Sequence, residues 1–208
     1  MSEYFVPASA GEASYVEKRS EFLGHVRMAE TEDEAKAFIS EMKKKYYDAR
    51  HNCWCYIIKD GAVRYSDDGE PQGTAGIPML EVFKREGIEN VVCVVTRYFG
   101  GVLLGAGGLL RAYTKSAKDA LDAAGVAVVR RWVKMDLPCA YSVAERLKLE
   151  CVNMGGIVTD TEYGADVTVK LLIPEEKAEE FSLRITDVSA GTCTALARGE
   201  EFKPVRIK

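Results

Sequence analysis

Three polar segments of the chain hold most of the side chains that could act on a ligand. The first runs from Asp48 to Tyr56 and contains Arg50, His51, Cys53 and Cys55. Residues two apart in a strand share a face, so the histidine and both cysteines are expected to point the same way. Thiolates and imidazole bind zinc, but this spacing matches no common zinc motif and no second pair follows. We therefore expect a packed cysteine face and no metal.

The second segment, Ser66–Pro71, carries three carboxylates at Asp67, Asp68 and Glu70. Clustered carboxylates suit Mg²⁺, which prefers oxygen ligands, or they form an acid/base pair. The alternative is a surface turn, because Asp and Gly form turns for purely local reasons. Taken alone, the pattern favours the turn.

The third segment is rich in glycine and lies between Arg97 and Arg111. Its five glycines are Gly100, Gly101, Gly105, Gly107 and Gly108. A helix is predicted from about Leu109 to Ala123, and its free N-terminal amides beside arginine would bind an anion such as phosphate. The alternative is tight strand-to-helix packing that requires small residues. Neither a Walker motif nor a GxGxxG motif is present, and no Ser or Cys triad is recognisable.

The elements around these segments are predicted from hydrophobic periodicity. Thr31 and Glu34 form a capping box, which begins a helix. Its apolar positions recur at helical spacing, at Ala35, Phe38, Ile39 and Met42. The basic run Lys43–Lys45 suits a helix C-terminus, and we favour a solvated helix end over a nucleic-acid patch.

Further along, residues 53–66 predict a hairpin whose turn, Asp60-Gly61, is typical of type I′. Pro78 suits the first turn of a following helix. The apolar run Val91–Val95 predicts a central strand buried on both faces.

After Arg130-Arg131 the pattern changes to strand, helix, strand, strand, helix, strand. The predicted ranges are Trp132–Pro138, Ser142–Asn153, Ile157–Glu162, Asp166–Ile173, Glu175–Thr186 and Thr192–Ala197. This βαββαβ order is the ferredoxin-like pattern. We therefore expect an α+β protein with two domains, residues 1–130 and residues 131–208.

Composition excludes several classes of protein. The 208 residues carry a net charge of −4, with 47% hydrophobic and 29% charged residues, which is typical of a globular domain. Bulk charge disfavours non-specific nucleic-acid binding, so any phosphate contact needs a local patch. Neither a signal peptide nor an apolar run long enough for a membrane helix is present. Six scattered cysteines without a CxxC motif indicate a reducing cytosol.

Four strings of residues together resemble the signature of the IMPACT family. They are Ala49–Trp54, Tyr65–Gly76, Val95–Gly101 and Leu104–Leu109. The resemblance is specific over residues 14–125 and looser beyond. It implies a first domain similar to domain 2 of ribosomal protein S5, an α/β sandwich. The implied second domain is ferredoxin-like and similar to the C-terminal domain of elongation factor G.

The family's eukaryotic members are linked to control of translation initiation through a partner that acts on a kinase. Those members have a different additional domain, so that partner does not carry over. The resemblance implies a cytoplasmic binding or regulatory protein linked to translation, which recognises RNA, the ribosome or a translation factor. No cofactor, membrane or sequence-specific DNA contact is expected.

The alternative is an enzyme acting on a phosphorylated or nucleotide substrate, since the three segments hold more polar groups than packing needs. The candidate ligand-binding cleft comprises Arg50, His51, Asp67, Asp68, Glu70, Arg97, Tyr98, Gly100, Gly101, Gly105, Gly107, Gly108 and Arg111.

Overall fold

The structure is a computed structural model that describes residues 3–207. Its contacts divide the chain into two units. The first comprises Met1–Val129 with Pro204–Lys208, and the second comprises Arg130–Lys203. The residues from Pro204 onward, which the sequence pattern placed in the second domain, thus group with the first unit. No helix among residues 3–207 is long and apolar enough to cross a membrane.

The first unit contains most of the elements that position the candidate residues. In chain order they are β1 (Tyr4–Pro7), β2 (Gly11–Glu17), β3 (Ser20–Met28), α1 (Glu32–Lys45), β4 (His51–Ile57), β5 (Val63–Ser66), α2 (Gly76–Arg85), β6 (Val91–Tyr98) and α3 (Gly105–Ala124). The strand β7 (Val126–Cys139) begins in this unit and ends in the second, and its first residues pair with β1. The remaining elements are α4 (Tyr141–Asn153), β8 (Ile157–Tyr163), β9 (Val167–Pro174), α5 (Ala178–Val188) and β10 (Leu196–Arg206).

The main sheet of the first unit has the order β2-β3-β6-β4-β5, and all its neighbouring strands run antiparallel. Its central strand, β6, is buried from Val91 to Arg97, which confirms the predicted central strand. Successive side chains of β4 point to opposite faces of the sheet. Cys53 and Cys55 join the core with α2 and α3, whereas Trp54 and Tyr56 pack with α1.

The start of α1 confirms the predicted cap. The Thr31 hydroxyl accepts a hydrogen bond from the Glu34 amide at 3.2 Å. The Glu34 carboxylate accepts from the amide of Glu30 at 2.7 Å, one residue earlier than a standard capping box places it. All four predicted apolar positions of the helix are buried.

Two local predictions are wrong. The hairpin between β4 and β5 exists, but the Ile58 amide donates to the Ala62 carbonyl at 3.0 Å, which closes a three-residue loop. Of its two turn residues only Asp60 has a positive φ, whereas type I′ needs two. The helix α3 begins at Gly105, four residues earlier than predicted, because Gly107 and Gly108 adopt helical backbone rather than loop.

The second unit shows the predicted βαββαβ order, and its strands lie in the order β8-β9-β7-β10. Leu137, Leu147, Phe181 and Ile185 are fully buried in its core. The last strand begins at Leu196 instead of Thr192. The cause is local, since the Cys193 amide donates to the Ser189 hydroxyl at 3.1 Å and continues the turn after α5.

Candidate functional site

A cavity of about 400 Å³ opens in the first unit beside the C-terminal end of β6. Its polar lining comes from Arg50, His51, Glu70 and Arg97. The rest is mostly apolar and comes from Gly69, Pro71, Phe99, Leu103, Leu104, Gly105, Ala106 and Leu109. The cavity therefore has a charged part and an apolar part, which suits a ligand with both characters.

A buried ion pair forms the base of the charged part. Arg97 Nη1 lies 2.6 Å from Glu70 Oε1, and the two residues are only 5% and 8% exposed. Arg97 Nη2 donates to the Ser20 hydroxyl at 3.4 Å, whereas its Nε has no partner within residues 3–207. A buried charge needs compensation, so each member of the pair depends on the other.

The carboxylate of Glu70 is held from a second side by Tyr113. The Tyr113 hydroxyl donates to Glu70 Oε1 at 2.8 Å. Burial, together with the nearby Cys53 and Glu70, raises the pKa of Tyr113 well above its ordinary value, so the phenol keeps its proton. Oε1 thus accepts two hydrogen bonds, while Oε2 lies 4.0 Å from His51 Nε2.

The orientation of His51 is set by the acidic loop. Its Nδ1 lies 2.9 Å from the carbonyl oxygen of Asp68. A carbonyl only accepts hydrogen bonds, so Nδ1 carries the proton of the neutral ring. Nε2 is then left as an acceptor on the cavity side. This is the atom of His51 that can exchange a proton with a ligand.

Asp67 organises the loop and does not line the cavity. Its Oδ1 accepts from the amides of Ala75 at 3.0 Å and Gly76 at 2.8 Å, and its Oδ2 accepts from Gly73 at 2.8 Å. The amides of Ala75 and Gly76 lie at the start of α2, which has no side-chain cap of its own. The carboxylate thus caps α2 from a distant position in the chain.

Asp68 has a different structural role, although it is adjacent. Its carboxylate contacts Lys43 Nζ at 2.6 Å and accepts from the Asn52 amide at 2.7 Å. The backbone at Asp68 has a φ of +43°, which turns the chain so that Glu70 alone of the three carboxylates reaches the cavity.

Alternation along β6 separates Arg97 from Tyr98. Arg97 lies opposite His51 in the register of β4 and β6, so both point to the cavity. Tyr98 points to the other face, where its hydroxyl donates to Asp48 at 2.8 Å. Arg50 lines the cavity from the residue before β4 and is exposed.

The glycines of the third segment serve different purposes. Gly105 lines the cavity with a φ of +71°, and Gly101 also has a positive φ. Gly100 lies against the β2–β3 turn, where a Cβ would come within 2.0 Å of the carbonyl carbon of Arg19. Gly107 and Gly108 lie in the first turn of α3 and do not line the cavity.

The N-terminus of α3 points its first amides towards this region. Its N-cap residue, Leu104, makes no side-chain hydrogen bond, and the first turn contains no acidic residue. Arg111, one turn further on, is exposed and does not line the cavity. The helix thus offers free amides, but the basic side chains nearest to a ligand are Arg50 and Arg97.

Cys53 does not provide a nucleophile. Its thiol lies 3.0 Å from the carbonyl oxygen of Asp67, and burial raises the pKa of the thiol far above its usual range. A protonated, enclosed sulfur is unreactive. Among the described residues, no group of three His, Cys, Asp or Glu side chains is placed to hold a metal ion.

Two features of the cavity were not predicted from the sequence. They are its apolar lining and the hydrogen bond from Tyr113 that holds the Glu70 carboxylate. Phe99 lies two residues after Arg97, and that period-two spacing would have placed it on the same face. Tyr113 lies four residues after Leu109, on the buried face of α3. A phenol on a buried helix face signals a polar partner inside.

Comparisons with known proteins agree with the motif resemblance. Residues 18–121 match the Impact N-terminal domain, and residues 137–192 match a domain of unknown function, DUF1949. The IMPACT family member YvyE of Bacillus subtilis is 37% identical over 193 residues, covering 92% of this chain and 89% of YvyE. YigZ of Escherichia coli is 32% identical over 201 residues, covering 95% and 98%. A crystal structure titled as that of a hypothetical protein aligns with a TM-score of 0.60 and 31% identity, covering 96% of this chain and 98% of that one. The chain belongs to the IMPACT family.

Proposed function

We propose that this protein is a cytoplasmic binding protein linked to translation, and that the cavity of its first unit takes a ligand bearing a phosphate-type anion. The family supports the first part, since its eukaryotic members are linked to control of translation initiation. The buried arginine of the cavity supports the second part. A shared fold does not establish a function, so the ligand class is inferred from the residues of the cavity.

The two units support the architecture that the family implies. In the first, one sheet packs α1 on one face and α2 with α3 on the other. We propose that it is an S5 domain 2-like sandwich. The strand order β8-β9-β7-β10 with βαββαβ connectivity supports a ferredoxin-like second domain similar to that of elongation factor G.

The observation that carries the ligand proposal is the unpartnered Nε of Arg97. This N–H is buried, lies on a residue that lines the cavity, and has no acceptor in the part of the chain that the structure describes. A buried donor without an acceptor is costly, and an anionic oxygen would satisfy it. Arg50 and the free amides at the start of α3 would add to the same positive field.

The ligand proposal is tested by titration with inorganic phosphate, pyrophosphate and nucleoside monophosphates. The amide signals of Gly105 and Ala106 should shift and saturate in ¹H–¹⁵N spectra. Arg50→Ala should weaken binding about tenfold, which corresponds to the loss of one charge-assisted hydrogen bond. Arg64→Ala removes an exposed arginine that does not line the cavity and serves as the matched control. Unmoved signals at all concentrations would show that the cavity takes no anion.

A second candidate function is an enzyme acting on a phosphorylated substrate in the same cavity. His51 Nε2 and Glu70 Oε2 lie 4.0 Å apart, so both can accept a proton from a group bound beside them in the cavity. A screen for phosphatase, esterase and kinase activity tests this function. His51→Gln should abolish any activity found while leaving phosphate binding largely intact. Activity that survives this substitution would exclude His51 as an acid or base.

The link to translation is tested by co-sedimentation of the full chain with ribosomes across a salt series. Binding at low salt that weakens as salt rises supports the proposal, because ribosomal contacts are largely electrostatic. A chain that does not co-sediment even at low salt would remove the main support for a ribosomal role.

A further inference from the structure

A second depression of the first unit lies on the opposite face of its sheet from the cavity. It runs between α1 and β4, has a volume of about 550 Å³, and is called here the α1–β4 groove. The residues that matter for its chemistry are Lys36, Lys43, Lys44, Tyr47, Trp54 and Tyr56. The cavity with His51 and Arg97 shares no lining residue with it.

The groove is lined by basic side chains although the chain as a whole is acidic. Three lysines line it and no carboxylate does. Lys36 has Glu32 as a partner at 3.3 Å and Lys43 has Asp68 at 2.6 Å, whereas Lys44 makes no ion pair with any described residue. With a net charge of −4, such a local patch is what phosphate contacts would require.

Three aromatic rings also line the groove, and Trp54 is half-buried whereas Tyr56 is only 2% exposed. The rings of Trp54 and Tyr56 are parallel within 7°, with centroids 5.7 Å apart, because residues two apart on β4 share a face. Tyr47 follows α1 and is 85% exposed, so its ring contributes little to the core. Aromatic faces beside basic groups form the stacking platform on which unpaired bases bind.

The open sheet face of the second unit offers no comparable surface. It carries three basic residues, Lys134, Lys170 and Arg198. Each is paired with a carboxylate: Lys134 with Glu201 at 2.8 Å, Lys170 with Glu162, and Arg198 with Asp136 at 2.8 Å. Their charge is thus compensated, and no aromatic ring lines that depression.

We propose that the α1–β4 groove binds single-stranded RNA, with bases stacked on Tyr47 and Trp54 and a phosphate bound by Lys44, the lysine of the groove that makes no ion pair with a described residue. The inference rests on the proposed link to translation and names one surface and one partner class for it. Charge alone would suit any acidic partner, but the exposed ring of Tyr47 together with the half-buried ring of Trp54 favours unpaired bases. In a duplex the bases are already stacked and their faces are not accessible.

The test uses the full chain and fluorescein-labelled ten-nucleotide RNAs of uridine or adenosine, followed by fluorescence anisotropy at 50 and 200 mM salt. Tyr47→Ala should weaken binding roughly tenfold without changing the salt dependence, because it removes stacking and no charge. Lys44→Glu should weaken it at least as much and lower the slope of log K against log salt by about 1. Matched controls are Tyr163→Ala, an exposed tyrosine of the second unit, and Lys84→Glu on the exposed face of α2.

Tryptophan fluorescence gives an independent measurement of stacking. The chain has two tryptophans, and Trp132 is only 3% exposed, so RNA-dependent quenching should come from Trp54. Trp54→Phe should therefore remove the quenching while retaining an aromatic face. Quenching that persists in this variant would overturn the assignment of the groove.

Three further outcomes would also overturn it. They are no RNA binding at 50 mM salt, equal affinity for a duplex of the same sequence, and binding that Tyr47→Ala and Lys44→Glu leave unchanged. If RNA fails to bind but the chain still co-sediments with ribosomes, the groove is not an RNA site and the translation proposal stands. If RNA binds as expected but ribosomes are not bound, the groove is supported and the ribosomal role fails.

Discussion

Arg97 Nη1 and Glu70 Oε1 lie 2.6 Å apart at the base of the cavity, and solvent reaches neither side chain appreciably. The guanidinium also lies 5.5 Å from the ring centres of both Phe22 and Phe99. The pair therefore links the polar end of the cavity to the apolar core of the first unit. Changing one partner alone should be much more harmful than changing both.

Arg97→Met should lower the free energy of unfolding by about 3–5 kcal/mol, because Glu70 is left as an uncompensated buried charge. The double variant Arg97→Met/Glu70→Gln should recover a substantial part of this loss, since the glutamine carries no charge and can still accept from Tyr113. Urea unfolding of the two variants measures the difference. A single-variant loss below about 1 kcal/mol would mean that water already solvates the pair.

Asp67→Ala should destabilise the protein by about 2 kcal/mol or more. The substitution removes the acceptor of three backbone amides, two of them at the start of α2. Asp67→Asn keeps one oxygen acceptor and should cost less. Asp187→Asn, at an 81% exposed side chain on α5, is the control and should change stability by less than about 0.5 kcal/mol. Equal effects of Asp67→Ala and the control would exclude a capping role.

His25 should make the stability depend on pH just below neutrality. Burial lowers the pKa of His25 from its ordinary value of 6.5, and Lys45 lowers it further, against the opposing effect of Glu12 at 3.4 Å. As pH falls through 6.5, the unfolded chain takes up the proton before the folded chain does. The free energy of unfolding should therefore fall, with a slope of at most about 1.4 kcal/mol per pH unit, until the pH passes the folded pKa.

His25→Phe isolates this effect, because phenylalanine fits against the Tyr46 ring that now lies 5.3 Å from the imidazole. Unfolding curves between pH 7.5 and 5.5 should be flatter for this variant than for the parent chain. An identical slope in both proteins would assign the pH dependence to other groups.

All six cysteines should resist thiol reagents in the folded protein. Each of them is buried, and burial raises the thiol pKa of Cys53 and Cys93 well above the ordinary value and that of Cys151 to about 11. Fewer than one thiol per chain should react rapidly with a disulfide reagent at pH 8, and all six should react in denaturant. One fast-reacting native thiol would contradict the buried placement of that residue.

The secondary structure of the first unit follows from local sequence patterns. Three patterns predict its elements: the period-two alternation of β4, the continuous apolar run of β6 and the Thr31 cap of α1. Each pattern reflects a strong local preference of the backbone for a strand or a helix. The start of α3 could not be predicted in this way. Glycine has a low helix propensity, and the packing of Leu109 and Ala112 into the core outweighs that preference at Gly107 and Gly108.

The site was harder to predict than the fold, because adjacent residues have unrelated tasks. Asp67 caps a helix, Asp68 pairs with Lys43, and Glu70 reaches the cavity, although all three look alike in the sequence. The distinction depends on the backbone turn at Asp68. The strand register that places His51 opposite Arg97 pairs residues that are far apart in the chain, so it could not be predicted from a local sequence pattern.

The discontinuity of the first unit matters for the order in which a ribosome would produce its parts. Pro204–Lys208 belong to the same unit as Met1–Val129, although the second unit separates them in the chain. The Ile207 amide donates a hydrogen bond to the Val126 carbonyl at 2.9 Å. Because translation proceeds from the N-terminus, the main sheet and the cavity are synthesised early. The Ile207 amide that donates this hydrogen bond is synthesised only after the whole second unit. A nascent chain arrested between the two segments would hold a first unit that still lacks its final strand partner.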